Sequence, residues 1–135
     1  MRKEITPTLK DDILDQHCQD LKSVTKTKKL FLKHNLSLID LSNETGIPVD
    51  EVKKIFNERL QLTFFEFISE YKINEAKQLL INIREDQFSI TTIAAQSGFN
   101  THSSFETIFK QHTNMSPEEF RIKHFIIEPD SSSPD

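Results

Sequence analysis

The sequence contains the same pattern twice. Residues 36–47 align with residues 88–99 at a constant offset of 52, so that Ser37, Leu41, Gly46 and Ile47 stand opposite Ser89, Ile93, Gly98 and Phe99. After one inserted residue the match continues at an offset of 53: Val52, Ile55 and Phe56 face Phe105, Ile108 and Phe109, and Thr63 and Phe67 face Ser116 and Phe120. Such a chain is constrained to fold as two copies of one small unit. In each copy a serine, Ser37 or Ser89, stands where its hydroxyl accepts from the unpaired amides of a first helical turn. A short helix follows and stops at Gly46 or Gly98, because glycine takes a left-handed backbone without the penalty of a β-carbon. The next apolar residue turns back toward the core. A second helix then starts, with apolar positions at i, i+3 and i+4 that leave its opposite face free.

Helix, glycine turn and helix with an exposed face make a helix-turn-helix, expected here near 37–60 and near 89–112. Those two glycines are the only ones in 135 residues. A dinucleotide fingerprint needs three and a phosphate loop needs two within six residues, so Rossmann-type and P-loop nucleotide chemistry are excluded. Between the copies Phe64, Phe67, Ile68, Tyr71, Ala76, Leu79, Leu80 and Ile83 keep a helical period. That spacing predicts a connecting helix ~28 Å long at a rise of 1.5 Å per residue.

The flanks read differently. Leu9, Ile13, Leu14, Leu21, Val24 and the run Leu30, Phe31, Leu32 recur mostly three, four or seven apart, which predicts an amphipathic helix near 8–33 within an extension of residues 1–34. Its C-terminal end is expected to pack on the first motif and its Leu9-to-Leu21 end on a second copy, giving a homodimer. Residues 128–135 hold two prolines and no apolar side chain, and a disordered acidic tail is expected over 125–135. The fold class is all-α, with helices near 8–33, 37–45, 49–60, 64–82, 90–97, 102–112 and 117–124, and one double-motif domain over 35–124.

Composition narrows the setting. With 36% hydrophobic and 28% charged residues and a mean hydropathy of −0.49, the chain reads as globular. No apolar run approaches the ~20 residues of a membrane span, and no membrane contact is expected. The basic start has no apolar stretch behind it, so a signal peptide is not expected, and the lone Cys18 excludes an internal disulfide. Both point to the cytoplasm. The net charge of −4 offers no general attraction to polyanions. Residues 35–124 are themselves −4, with nine basic and thirteen acidic side chains, whereas residues 1–34 are +3.

At this level the residues resemble the C-terminal DNA-binding domain of AraC/XylS-type transcription regulators, over about residues 36–123. The most specific stretches are Tyr71 to Leu80 in the connecting helix, Ile90 to Phe99 in the second motif, and the closing runs Phe105 to Lys110 and Met115 to Arg121. The resemblance implies two helix-turn-helix units joined by a linker helix, placing two recognition helices in successive major grooves of double-stranded DNA. Those grooves recur every ~34 Å on one face of the duplex. The implied contacts are Asp50, Glu51, Lys53, Lys54 and Asn57 on the first helix and Thr101, His102, Ser103, Glu106, Thr107 and Lys110 on the second. Lys53 and Lys54 stand where the family commonly has serine and arginine, and Thr107 where it often has arginine. Arginine's bidentate fork to guanine is absent from both helices. The glycines that follow each recognition helix in the family are replaced by Gln61 and Asn114. Regulators of this type normally carry a sensing domain as well, so the chain reads either as a small stand-alone factor or as the output piece of a larger sensor.

A different class of function stays open: an acidic helix-turn-helix without recognition arginines also suits a protein-docking or dimerisation module. Other chemistries have less support. His17 and Cys18 are adjacent and point about 100° apart on a helix, so no metal site is expected. His102, Ser103 and the dispersed carboxylates lack an orienting third group, so no catalysis is expected. Glu118 and Glu119 read as first-turn acids that favour a helix dipole. No cofactor or small-molecule site is expected.

Overall fold

The computed structural model describes residues 9–82 and 88–132, and among these every regular element is helical. In chain order they are α1 (Leu9–Thr27), a 3₁₀ turn (Leu30–Leu32), α2 (Leu38–Thr45), α3 (Val49–Ile55), which widens into a π-helical turn (Phe56–Leu60), α4 (Phe64–Ile81), α5 (Ile90–Gln96), α6 (His102–Thr113) and α7 (Pro117–Ser132). The chain divides into two compact units, Met1–Ile68 and Ser69–Asp135, and the division falls inside α4.

In the first unit α1 packs on α2, α3 and the π-helical turn. Its buried face is Leu14, Cys18, Leu21 and Thr25, and Thr25 donates its hydroxyl to the Leu21 carbonyl at 2.7 Å. This corrects the expected stripe: Ile13 is 46% exposed, and a cysteine and a threonine take core positions that hydropathy assigned elsewhere. It also bears on the second copy expected on this helix, because Leu14 and Leu21 are covered by the chain's own first motif. The helix ends at Thr27, short of the expected 33. Lys29 adopts a left-handed backbone, with φ of 50°, and the 3₁₀ turn follows. Three consecutive apolar residues cannot share one face of an α-helix; the tighter turn buries Leu30 and Phe31 and leaves Leu32 outside.

The serine cap and the glycine turn stand where the sequence reading expected them, and the structure adds Asp40 to the first. Ser37 and Asp40 form a capping box, with each side chain accepting from the other's backbone amide. Gly46 has φ of +78° and donates its amide to the Ser42 carbonyl, closing α2. Leu41, Ile47, Val52, Ile55 and Phe56 are buried, each contributing roughly 2 kcal/mol of apolar transfer free energy.

The second unit is built around Ile73, Ala76, Leu80, Ile93, Ala94, Phe99, Phe105, Ile108 and Phe109. Ser89 caps α5 by accepting from Thr92, and Thr101 caps α6 by accepting from Ser104. Phenylalanine rings run through this core, Phe99 to Phe105 at 5.1 Å, Phe105 to Phe109 at 5.5 Å and Phe109 to Phe120 at 5.3 Å between centroids. The final helix passes its expected end at 124 and continues to Ser132, so the tail boundary expected at 125 falls inside α7. No breaker intervenes before Pro129, and composition does not register that. Ile83, Leu9's side chain and residues 133–135, all part of the expectations above, lie outside the described residues.

Candidate nucleic-acid interface

Both second helices offer one open face because the other is spent on the core. On α3, Val52 and Ile55 are buried, while Asp50, Lys53 and Asn57 are exposed at a spacing of three and four. Glu51 and Lys54 occupy an adjoining stripe and are half-buried. Glu51 pairs with His17 of α1 through Oε2 and Nδ1. Lys10, Asp11, Ile13 and Leu14 of α1 enclose, with Asp50, Glu51, Lys54 and Glu58, an open cleft of about 460 Å³. The structure therefore separates the two adjacent lysines. Lys53 stands out from the helix, and Lys54 lines the cleft.

Three other cations of this unit, Arg59, Lys33 and Lys28, are engaged in ion pairs. Arg59 donates from Nε to Asp15 at 2.5 Å and from its terminal nitrogen to Asp11 at 3.3 Å, both on α1. The Asp15 hydrogen bond, ahead of all other causes, holds the guanidinium pKa above its ordinary value. Lys33 bonds Asp40 at 2.9 Å and Lys28 bonds Glu44 at 3.1 Å. In the second unit Lys72 lies 5.5 Å from the centroid of the Phe99 ring, and burial lowers its pKa.

On α6 the buried face is Phe105, Ile108 and Phe109, and the exposed stripe is Ser103, Thr107 and Lys110, spaced four and three. Thr101 is exposed, but its hydroxyl serves as the helix cap, accepting from Ser104 at 3.0 Å. His102 and Glu106 are half-buried beside this stripe, with Nε2 and Oε2 3.1 Å apart. Sequence reasoning missed two of their neighbours. Thr91 of α5 places its Oγ1 3.2 Å from His102 Nδ1, and Glu118 of α7 brings a carboxylate oxygen to the same cluster. Glu118 is freed for this because Glu119 alone closes the α7 cap: the Ser116 amide donates to Glu119, and the Glu119 amide to the Ser116 hydroxyl. The signal was present in the repeat, since Thr63 and Glu66 stand at the equivalent positions and form the same box ahead of α4.

Lys53 and Lys110 have no ion-pair partner among the described residues, so each open face carries one unengaged cation. Phosphate oxygens accept from such side chains, while hydroxyl, amide and carboxylate groups beside them suit base edges in a major groove. No helix among the described residues is long and apolar enough to cross a membrane.

Comparison with known proteins bears on the family and the fold. The family described as "Helix-turn-helix domain" matches residues 41–123. An uncharacterized HTH-type transcriptional regulator of Staphylococcus aureus (strain COL) is 31% identical over 113 residues, which are 84% of this chain and 14% of the relative's own length. The protein named "Probable transcription factor PqrA" of Proteus vulgaris is 30% identical over 93 residues, 69% of this chain and 74% of that protein. Among solved structures, the DNA-binding domain of AdpA, a global transcriptional factor, in complex with a target DNA superposes with a TM-score of 0.67 at 13% identity, covering 83% of this chain and 96% of that one. That likeness is one of fold. With two capped helix-turn-helix units, a family match across most of the chain and a relative aligned over nearly three-quarters of its length, the chain belongs to the AraC-type helix-turn-helix family of DNA-binding transcription regulators.

Proposed function

We propose that this chain reads a specific duplex sequence with two unlike helix faces, α3 through Lys53, Asn57 and Asp50 and α6 through Ser103, Thr107 and Lys110, set in successive major grooves. The reading rests on the open stripe that each second helix presents opposite its buried face. Since the two stripes share no sequence, the preferred site is asymmetric. The excess of acid over base in residues 35–124 keeps nonspecific affinity low, which favours discrimination over tight general binding. Regulation of transcription in the cytoplasm is the biological setting that this activity implies. Dimerisation through α1 is a separate expectation: Leu14 and Leu21 are buried within the chain, whereas Ile13 is exposed.

The test is a salt titration of binding to a duplex selected from a random pool. Lys53→Ala and Lys110→Ala should each lower the slope of log affinity against log salt by about 0.9 if each neutralises one phosphate. Lys54→Ala should lower it less. Slopes unchanged in both outward variants, or the absence of any selected sequence, would overturn the proposal.

A further inference from the structure

We propose that His102, Glu106 and Glu118 bind a divalent transition-metal ion of the zinc class, and that its occupancy sets the charge of the face with which α6 meets DNA. One imidazole nitrogen and two carboxylate oxygens lie within 4.8 Å of one another. Zinc takes nitrogen and oxygen ligands at about 2.0–2.2 Å, which at tetrahedral angles sets neighbouring ligand atoms about 3.4 Å apart. The 3.1 Å between His102 Nε2 and Glu106 Oε2 already approaches that edge. Glu118 is exposed, and rotation of its side chain closes the rest.

The surroundings hold the donors for this use. His102 and Glu106 are four apart on α6 and share a face, and the Thr101 cap fixes the turn that carries His102. The capping box of Ser116 and Glu119 fixes the first turn of α7 and leaves Glu118 outside it. Thr91 Oγ1, at 3.2 Å, can accept the Nδ1 proton of His102, which leaves the Nε2 lone pair for the ion. An outer partner on the second ring nitrogen is the usual means of holding a metal-binding imidazole. A donor set of one imidazole and two carboxylates suits zinc better than calcium or magnesium, which favour all-oxygen sites. Three protein ligands leave one tetrahedral position for water. The first motif serves as an internal control. At an offset of 53 the equivalent residues are Val49, Lys53 and Phe65, none of which is a zinc ligand, so the fold itself does not need the cluster.

A neutral imidazole with two carboxylates carries −2, and a divalent ion brings the cluster to zero. On the reading of α6 as a groove-facing helix, on which this coupling rests, occupancy removes repulsion from phosphate and tightens binding. The untagged 135-residue chain titrated with zinc chloride in a calorimeter, without DNA, should bind one ion per chain. That binding should vanish in His102→Ala and in Glu118→Gln and weaken about tenfold in Thr91→Val. Circular dichroism should show the helix content retained. Absence of saturable binding, or binding that survives in His102→Ala, overturns the site. In a second arm, fluorescence anisotropy on a selected duplex should show tighter binding with zinc for the wild type and no response for Glu118→Gln. Zinc bound without any change in DNA affinity overturns the coupling. A normal zinc isotherm with no DNA binding under either condition overturns instead the groove reading.

Discussion

The two motifs share their backbone devices and differ in what surrounds them. Gly46 and Gly98 both turn through positive φ, and Gln61 and Asn114 both do so after the second helix, although neither is glycine. Phe56 meets Phe67 at 5.1 Å and 90°, and Phe109 meets Phe120 at 5.3 Å and 82°, the same edge-to-face pair at an offset of 53. The inserted residue marks the divergence. In the first motif the chain enters α3 through Pro48 with no side-chain cap, and the α-helix lasts seven residues before it widens. In the second, Thr101 caps α6, which runs twelve residues. The first motif also carries α1 beside its second helix, through His17 with Glu51 and Arg59 with Asp11 and Asp15. One scaffold is thus held by repeated caps and an aromatic pair, while its outward chemistry is set separately in each copy.

This equivalence makes predictions of decreasing size. Phe56→Ala and Phe109→Ala each remove one ring of the shared pair and should cost about 3–5 kcal/mol by urea denaturation. Losses differing by more than about 2 kcal/mol would show that the pairs are not equivalent. Thr101→Ala should cost about 1 kcal/mol, as should Ser37→Ala, whereas Pro48→Ala loses no cap bond and should cost clearly less. An equal loss at Pro48 would break the distinction between the helix starts. Gln61→Gly should stabilise by about 1 kcal/mol by relieving a left-handed backbone. Asn114→Gly should give less, since asparagine tolerates that region better, and a larger gain at Asn114 would reverse the ranking.

The smallest expected effects are single polar groups. Ser97 Oγ is buried without a hydrogen-bond partner, whereas Thr45, at its equivalent position, bonds the Leu41 carbonyl at 2.7 Å. Ser97→Ala should therefore leave stability unchanged or raise it, and Thr45→Ala should lower it. Asp40 is held below the ordinary carboxylate pKa by its hydrogen bond from Lys33 and then by the Ser37 amide. A depressed folded pKa gives stability that is present above the unfolded value and is lost as pH falls through the folded one. The equivalent residue in the second motif is Thr92, which does not titrate. Hydrogen exchange from pH 5 down to pH 2 should show α2 losing protection before α5, and Asp40→Asn should remove that difference.

Much of this architecture was legible because it is written in short-range patterns. Ser37, Ser89, Gly46, Gly98 and the i, i+3, i+4 apolar triplets act within a turn or two of the chain, and each sits where periodicity placed it. The face of α1 was not legible. Ile13 and Val24 fit a hydropathic stripe as well as Cys18 and Thr25 do, and only the docking of α1 on α2 and α3 decides between them. A threonine that returns its hydroxyl to its own helix can be buried at little cost.

The site divides along the same line. Which helices offer an open face followed from local spacing, since the apolar positions of α3 and α6 fall on one side of each helix. Which charges on those faces remain available did not, because the partners are distant in sequence: His17 is 34 residues from Glu51, and Asp15 is 44 from Arg59. Lys53 and Lys54 are identical as letters and become different only once α1 packs beside one of them to form the cleft. The gathering of Thr91, His102, Glu106 and Glu118 likewise needs three helices packed together. Capping and helical periodicity act within a few residues and can be read from the sequence, whereas ion pairs and ligand clusters depend on distances through space that only the packed helices set.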